Sequence, residues 1–372
     1  MIQAVLLIAF GGPTAPDEIR PFLQNVARGR AIPPARLEEV AHHYERMPGG
    51  RSPLNELTVR QARALAETLA ADGSALPVFV GMRNWHPYLH ETLAEMAGQG
   101  ARRALGLILS PLRTEASWER YMRDVAEARA RTPAAPEVVF APAWFEHPRF
   151  VAAAADRCRR ALDEVPTGER AATPLVFTAH SVPVPMAEAS PYAADFAAAA
   201  GAVAAALGHG RWSLAYQSRS GSPRDRWLEP DVNDVLKALG RQGARHVVVV
   251  PLGFVCDHVE VLYDLDVEAR ATAAAAGLAL HRAAAVNDHP DFIAALADLV
   301  RSHVAGDPDA AGASRAGAPS STTQSTPGPA PSPSASFPRP PETRVSEGAS
   351  GPPGPRSPST GDAGPSRRRG RR

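Results

Sequence analysis

The chain of 372 residues contains 44% apolar and 21% charged residues, and its formal net charge is +1 at pH 7. This composition is typical of a globular protein, the length suffices for two domains, and a charge near zero argues against general nucleic-acid binding. The two cysteines, Cys158 and Cys256, lie far apart and outside any CxxC or Cys/His spacing. That isolation argues against a zinc site or an iron–sulfur cluster and fits a reducing compartment.

The first residues, MIQAVLLIAFGGP, form an apolar run that ends at Gly11-Gly12-Pro13 and has no positively charged leader. This pattern predicts a β-strand rather than a signal peptide. No apolar run approaches the roughly 18 residues that predict a membrane span. We therefore expect a cytoplasmic protein with at most peripheral membrane contact.

Short β-branched or leucine-rich segments then alternate with alanine-rich segments of helical periodicity, which is typical of α/β folds with parallel sheets. The predicted strands are Val5–Phe10, Val78–Met82, Leu105–Leu109, Val138–Ala141, Leu175–His180, Leu214–Gln217, Val247–Pro251 and Leu278–His281. The predicted helices include Pro53–Ala71, Thr114–Arg131, Pro148–Asp163, Pro191–Leu207 and His258–Ala275. Four strands lie on each side of Pro142, so we predict two doubly wound halves, residues 1–142 and 143–286, that face each other across a cleft.

The composition changes after about Gly306, where Pro, Ser, Gly, Thr and Ala dominate and large apolar side chains nearly disappear. Residues 306–372 cannot bury a core and are predicted to be disordered. Their last segment, SRRRGRR, has a charge suited to weak contact with a polyanion or a membrane surface. A solvated tail with no defined partner is the favoured interpretation.

Polar residues follow three of the predicted strands, in the segments AFGGP, FTAHSVP and PLGFVCDHVEVLYDLDVEA. Ligands of doubly wound sheets bind beyond the carboxyl ends of the strands, so these segments can line one cleft. The pair Gly11-Gly12 permits close approach of a flat or anionic ligand. It lacks a GxGxxG or phosphate-loop pattern, and an ordinary turn explains it equally.

A histidine and a series of carboxylates occur at two of these strand ends. His180 ends the fifth strand, and acidic residues four positions apart follow the seventh, so that a helix brings them near one face: Glu260, Asp264 and Glu268. A solvated helix face is the ordinary explanation of such spacing, but its start directly after a buried strand favours a cleft. Imidazole and carboxylate groups suit both Fe²⁺ binding and proton abstraction.

Five segments carry a resemblance to a known family: AFGGP, HHYERMPGGRSPLNELT, FTAHSVP, AYQSRSGSPRDRWLEPDV and VVVPLGFVCDHVEVLYDLD. In order and spacing they resemble the ferrochelatases, and the resemblance covers residues 1–305. It implies two Rossmann-like domains around a porphyrin cleft, with Fe²⁺ and protoporphyrin IX or coproporphyrin III as substrates. It further implies haem formation with release of two protons, no organic cofactor, no nucleic-acid partner, and a terminal helix within residues 287–305 that packs on the first domain.

The resemblance also assigns roles to individual residues. His180 and Glu260 correspond to the pair that binds metal and transfers protons. Asp264 and Glu268 correspond to acids proposed in the family as a path for the metal. The positions that correspond to porphyrin-binding residues are Phe10, Tyr44, Ser52 and Tyr121.

Three positions depart from the coproporphyrin branch of the family, which the short loops resemble. Phe10 stands where that branch usually has a tyrosine able to reach iron, while Ala27 and His43 stand where it has arginines. Arg28 and Arg30 lie beside Ala27. Coproporphyrin III has two propionates where protoporphyrin IX has vinyls, so lost cationic contacts favour the less charged ring, and both substrates remain open.

Three other functions would use part of the same pattern. A chelatase that loads cobalt or nickel into a tetrapyrrole would need the same histidine and acids. A porphyrin or haem carrier would keep the cleft but would have no use for the acids, and a small-anion-binding protein is favoured only by the glycine turn. The combination of His180 with three acids therefore favours the enzyme.

Overall fold

A computed structural model describes residues 1–29, 32–220 and 224–305 of the chain. The predicted tail, residues 306–372, lies outside the described residues, and so does Arg30. The disorder proposed for the tail therefore stays a prediction.

The described residues contain two parallel β-sheets of four strands each. The first, in the spatial order β2-β1-β3-β4, consists of Ala4–Ala9 (β1), Val78–Met82 (β2), Arg103–Ile108 (β3) and Glu137–Phe140 (β4). The second, in the order β6-β5-β7-β8, consists of Leu175–His180 (β5), Trp212–Gln217 (β6), His246–Val250 (β7) and Ala279–Arg282 (β8). Because both sheets have the same order, the winding reverses beside β1 and beside β5, where doubly wound sheets bind ligands.

The helices of the first half are Ile19–Ala27 (α1), Pro34–Glu45 (α2), Leu54–Ala71 (α3), Leu89–Gly98 (α4) and Arg120–Arg131 (α5). The remaining helices are Pro148–Asp163 (α6), Val184–Glu188 (α7), Tyr192–Leu207 (α8), Val232–Arg241 (α9), Val259–Val261 (α10), Arg270–Ala275 (α11) and Pro290–Ala305 (α12). In the described parts of the chain, no helix combines the length and apolar character needed to span a bilayer.

The predicted α/β class is confirmed, and each predicted strand is present with its ends within two residues of the expected positions. The sheets fall on either side of Pro142, although the domain boundary itself stays a prediction. Two predicted helices differ from expectation because each contains a π-helical segment, Glu115–Glu119 or Leu262–Ala269. Hydrogen bonds from residue i to i+5 widen these turns, a change that apolar periodicity alone does not reveal.

The central strands form the core because they are apolar on both faces. All six residues of β1 are buried, and so are the first five of β5, as expected for parallel strands covered by helices on both sides. Helix α12 packs against α3 from the first half and α6 from the second. It contributes Phe292, which is fully buried with its ring centroid 5.5 Å from that of Trp144 and 6.1 Å from that of Phe150.

This aromatic cluster gives a test of the packing. We expect Phe292→Ala to lower the free energy of unfolding by about 3–5 kcal/mol, because it removes a fully buried ring and leaves a cavity. Urea unfolding of the whole chain measures the change. Val59→Ala, at a side chain on α3 that is 45% exposed, is the matched control and should change stability by less than about 0.5 kcal/mol. Equal effects of the two substitutions would contradict the assignment of α12 to the core.

Candidate active site

The segments after β5 and β7 lie against each other. His180 is the last residue of β5, and Glu260 lies in α10, which follows the loop after β7. Gly253 in that loop approaches β5 so closely that a Cβ there would lie 2.6 Å from the Cβ of Ala179 and 2.8 Å from its Cα. A glycine is therefore needed at this position to bring the two segments together.

The site is centred on Glu260, which lies between two histidines. Oε1 of Glu260 is 3.9 Å from Nε2 of His180, and Oε2 is 3.5 Å from Nε2 of His258. The side chains of His180 and Glu260 keep 29% and 40% of their surface exposed, so the pair opens to solvent. Both predicted members of the pair are thus adjacent, and His258 joins them.

The backbone determines which nitrogen of His180 is free to react. Nδ1 of His180 lies 2.5 Å from the carbonyl oxygen of Ser181, which can only accept a hydrogen bond. Nδ1 therefore carries the hydrogen, and the lone pair of the neutral ring is on Nε2, on the side of Glu260. The hydroxyl of Tyr192 donates to the carbonyl oxygen of His180 at 2.8 Å and fixes the backbone at this point.

The surroundings of Glu260 favour its ionised form. Burial opposes ionisation of the carboxyl, but the positive charge available on His180 and the hydrogen bond and charge of His258 outweigh that cost. The pKa of Glu260 is consequently lowered to about 2. The Glu260 carboxylate and a protonated His180 therefore stabilise each other.

Asp264, one turn further along, has the opposite property. Burial is the main cause that raises the pKa of its carboxyl; with the opposing hydrogen bond from Ser218 and the charges of Glu260 and Glu268, the pKa lies at about 7. Glu268 is exposed to solvent, but its carboxyl is still partly shielded from water. This partial burial and the charge of Asp231 raise the pKa of Glu268. The three predicted acids thus form a series of interacting carboxyl groups that leads from the site to solvent.

The predicted porphyrin-binding aromatic residues lie in the first half, and two of them, Tyr44 and Tyr121, are close enough to Glu260 for its charge to act on them. Tyr44 and Tyr121 are buried, which raises the pKa of each phenol, and the charge of Glu260 raises both further. The guanidinium carbon of Arg83 lies 5.9 Å from the ring centre of Phe10 and 5.7 Å from that of Tyr121. Arg83 therefore joins the two rings, an arrangement typical of cation–π contacts.

Ser52 is placed differently from the other predicted residues. It is buried, and its amide donates to the carbonyl oxygen of Pro13 at 2.9 Å. A Cβ on Gly12 would lie 2.8 Å from the Cβ of Ser52. Ser52 thus packs on the glycine turn after β1 and supports its shape, whereas no contact joins it to His180 or Glu260.

The positions that depart from the coproporphyrin branch also have defined surroundings. The ring of His43 stacks on that of Tyr263 with centroids 3.6 Å apart, and Nη1 of Arg46 lies 3.4 Å from the hydroxyl of Tyr263. Ala27 ends α1, and the guanidinium of Arg28 donates to the side chain of Asn25 at 2.7 Å. His43 therefore contacts the helical segment that carries the acids.

Three residues of the site received no role from the sequence. His258 lies in the polar segment after the seventh predicted strand, and its position two residues before Glu260 could have indicated a partner for that carboxylate. Ser218 and Arg83 gave no local signal, because the contacts of Ser218 with Asp264 and of Arg83 with Phe10 join residues far apart in sequence.

No resident metal centre is evident in the part of the chain that the structure describes. Among those residues, no group of three or more His, Cys, Asp or Glu side chains is arranged to hold a metal ion. The metal-binding role expected of His180, Glu260, Asp264 and Glu268 stays a prediction.

Comparison with known proteins gives a consistent result. The Ferrochelatase family model matches residues 2–304. A coproporphyrin III ferrochelatase of Mycobacterium avium (strain 104) is 48% identical over 302 residues, which cover 80% of this chain and 87% of the relative. A protein of the same name from Frankia alni is 47% identical over 312 residues, which cover 80% and 79%.

Among solved structures, SirB from Bacillus subtilis with Fe³⁺ has a TM-score of 0.51 and 13% identity, and the match covers 83% of this chain and 98% of SirB. At this identity the likeness concerns the fold alone. The family model and the relatives, in contrast, match nearly the whole described part of the chain in sequence. This protein therefore belongs to the ferrochelatase family, the enzymes that insert ferrous iron into a porphyrin to form haem.

Proposed function

We propose that this ferrochelatase acts on coproporphyrin III and that His180 and Glu260 carry the proton transfer. The observation that supports these roles is the position of the basic nitrogen of His180, Nε2, 3.9 Å from the Glu260 carboxylate at the carboxyl ends of adjacent strands. Porphyrin metallation needs such an arrangement, because two pyrrole N–H protons must leave as one Fe²⁺ enters.

His180 accepts the first proton in this proposal. Its Nδ1 already donates to the Ser181 carbonyl, so protonation at Nε2 gives an imidazolium with both N–H groups directed to acceptors. Glu260, which stays ionised at neutral pH, stabilises that imidazolium by its charge. The same negative charge favours the approach of a divalent cation to the site.

Asp264 is proposed to receive the second proton. A carboxyl group with a pKa of about 7 can accept and release a proton at neutral pH, whereas Glu260, with a pKa of about 2, cannot hold one. Exposed Glu268 leads onward to solvent. The ferrous ion passes along the same carboxylates in the other direction. The charge of Asp264 is neutralised by a proton or the metal, and that of Glu260 by the metal or the His180 imidazolium.

The porphyrin is proposed to lie against the rings of the first half. Phe10 is only half-buried, so it offers the larger ring surface for stacking. Tyr44 and Tyr121 have little exposed surface and form the supporting layer, and Ser52 keeps the glycine turn close to the ring. Phe10 has no oxygen to bind iron, so its ring would contact the porphyrin by stacking only.

The choice of coproporphyrin III is supported by the relatives rather than by Ala27 or His43. Proteins that are 43–48% identical to this chain carry the name coproporphyrin III ferrochelatase. Loss of two arginines would favour the less charged ring, but Arg28 and Arg46 lie close to the two altered positions. These guanidinium groups are suited to bind the additional propionates.

Turnover with the two porphyrins tests the substrate. We expect kcat/KM for Fe²⁺ insertion into coproporphyrin III to exceed that for protoporphyrin IX by about tenfold or more, the effect of one lost charge-assisted contact. Loss of the free-porphyrin absorption under anaerobic conditions measures both reactions. Equal or faster reaction of protoporphyrin IX would overturn the substrate assignment without affecting the assignment to the family.

The role of His180 is tested by His180→Ala. We expect turnover to fall by about 10²–10⁴-fold, the usual contribution of a positioned acid–base group, with little change in porphyrin affinity or thermal midpoint. His209→Ala is the matched control, because His209 bonds the Thr173 carbonyl at the other end of the second sheet and should leave turnover unchanged. Turnover of His180→Ala within twofold of the wild-type rate would refute the mechanism.

The raised pKa of Asp264 predicts a pH-dependent stability. The folded state holds a proton on Asp264 up to about pH 7, whereas an ordinary aspartate loses it near 3.8, so this stabilising proton is lost as the pH rises through 7. From pH 5 to pH 8, the free energy of unfolding of Asp264→Asn should rise by about 1 kcal/mol relative to that of the wild type, after allowance for solvent screening.

Chemical unfolding at the two pH values measures this gain. Asp234→Asn removes an exposed carboxylate of α9 and serves as the control, for which we expect no comparable gain. A constant difference between Asp264→Asn and the wild type at both pH values would show that Asp264 does not exchange its proton near neutrality.

A further inference from the structure

Two histidines meet in the second sheet, away from the carboxyl ends of the strands that form the active site. His246 is the first residue of β7, and it pairs with Ala279 on β8. His281, two residues beyond Ala279, therefore projects from the same face of the sheet as His246. Nδ1 of His246 lies 3.1 Å from Nε2 of His281.

The outer nitrogen of each histidine faces a carboxylate. Nδ1 of His281 is 3.0 Å from Oε2 of Glu164, directly after α6, and Nε2 of His246 is 3.6 Å from Oε2 of Glu169. Arg245 is the cation near this group, and it pairs with the other oxygen of Glu169 at 2.9 Å. In this order of carboxylate, imidazole, imidazole and carboxylate, the two inner nitrogens can hold at most one hydrogen between them.

We propose that His246 and His281 form a binding site for a late first-row divalent cation such as Zn²⁺, held by Nδ1 of His246 and Nε2 of His281. Two imidazole nitrogens bound to one such ion at about 2.0–2.1 Å lie roughly 3.0–3.4 Å apart, which is the separation present here. On binding, the hydrogen between the inner nitrogens leaves as a proton to solvent, and water completes the coordination.

The carboxylates distinguish this pair from an ordinary contact of two imidazoles. Histidines that bind metals usually donate their other N–H to a carboxylate, which orients the ring and makes the ligating nitrogen more basic. Glu164 and Glu169 are placed to accept from the outer nitrogens of His281 and His246. The imidazoles are 14% and 19% exposed, so an ion can reach them from solvent.

The site is separate from the reaction. Neither histidine contacts His180 or Glu260, and the proposed proton transfer uses neither of them. With two protein donors, the ion exchanges with solvent rather than holding the fold together, since structural zinc sites use four protein ligands.

Equilibrium dialysis of the metal-free full chain against micromolar Zn²⁺ tests the proposal. Because Zn²⁺ can also bind at the active site, His180→Ala serves as the reference protein. We expect the double variant His180→Ala/His281→Gln to bind one equivalent less than His180→Ala. Glu164→Gln leaves both ligands in place and should weaken this site by about 10–100-fold, the usual effect of removing a carboxylate that orients a ligating histidine.

Thermal unfolding provides a second measurement on the same proteins. Zn²⁺ should raise the midpoint of His180→Ala more than that of the double variant His180→Ala/His281→Gln, because a site that binds the ion only in the folded protein stabilises it. Midpoints without metal show whether each variant is folded, and Glu164→Gln replaces His281→Gln if the latter is not. The proposal would be overturned if loss of His281 left the number of bound Zn²⁺ ions unchanged and if Glu164→Gln bound Zn²⁺ as tightly as the wild type.

Discussion

The position of the Glu260 carboxylate depends on a largely buried polar junction around Asp257. The Asp257 carboxylate accepts hydrogen bonds from Arg282 and Asn287, each at 2.8 Å, and the Asp257 amide donates to the Asn287 side chain at 2.9 Å. Arg282 also bonds Asp266 at 2.7 Å, within the π-helical segment that carries Asp264. Buried charges are costly unless every group is partnered, and these are. The junction therefore holds the backbone just before Glu260 and the π-helical turn that carries Asp264 and Asp266.

The first half of the protein holds the same segment from the other side. The buried amide of Gln61 on α3 donates to the carbonyl oxygen of Asn287 at 2.8 Å and lies 3.3 Å from Sγ of Cys256. Tyr263, three residues after Glu260, packs in an apolar cluster with Phe22 and Tyr44 of the first half. These contacts bring Glu260 close enough for its charge to act on the tyrosines of the first half.

Local patterns predicted the fold well because parallel strands buried on both faces are continuous apolar runs, such as Val247–Val250. Local patterns could not predict the π-helical turn at Leu262–Ala269, because acidic residues four positions apart are equally compatible with an α-helix. Local sequence patterns also could not reveal which neighbouring side chains set the pKa of each acid. Ser218 bonds Asp264 across 46 positions of sequence, and only tertiary structure brings the two together.

Glu260 and Asp264 differ in pKa because their neighbours differ, not because of the acids themselves. Glu260 and Asp264 are both partly shielded from water, so burial favours the neutral form of each. Two histidines beside Glu260 reverse that preference. At Asp264 the hydroxyl of Ser218 and the more weakly acting charge of His258 do not outweigh burial and two negative neighbours, and its pKa rises to about 7. In the proposed mechanism, one acid thus stays charged beside the metal and the imidazolium, and the next exchanges protons because its neighbours leave its pKa near neutrality.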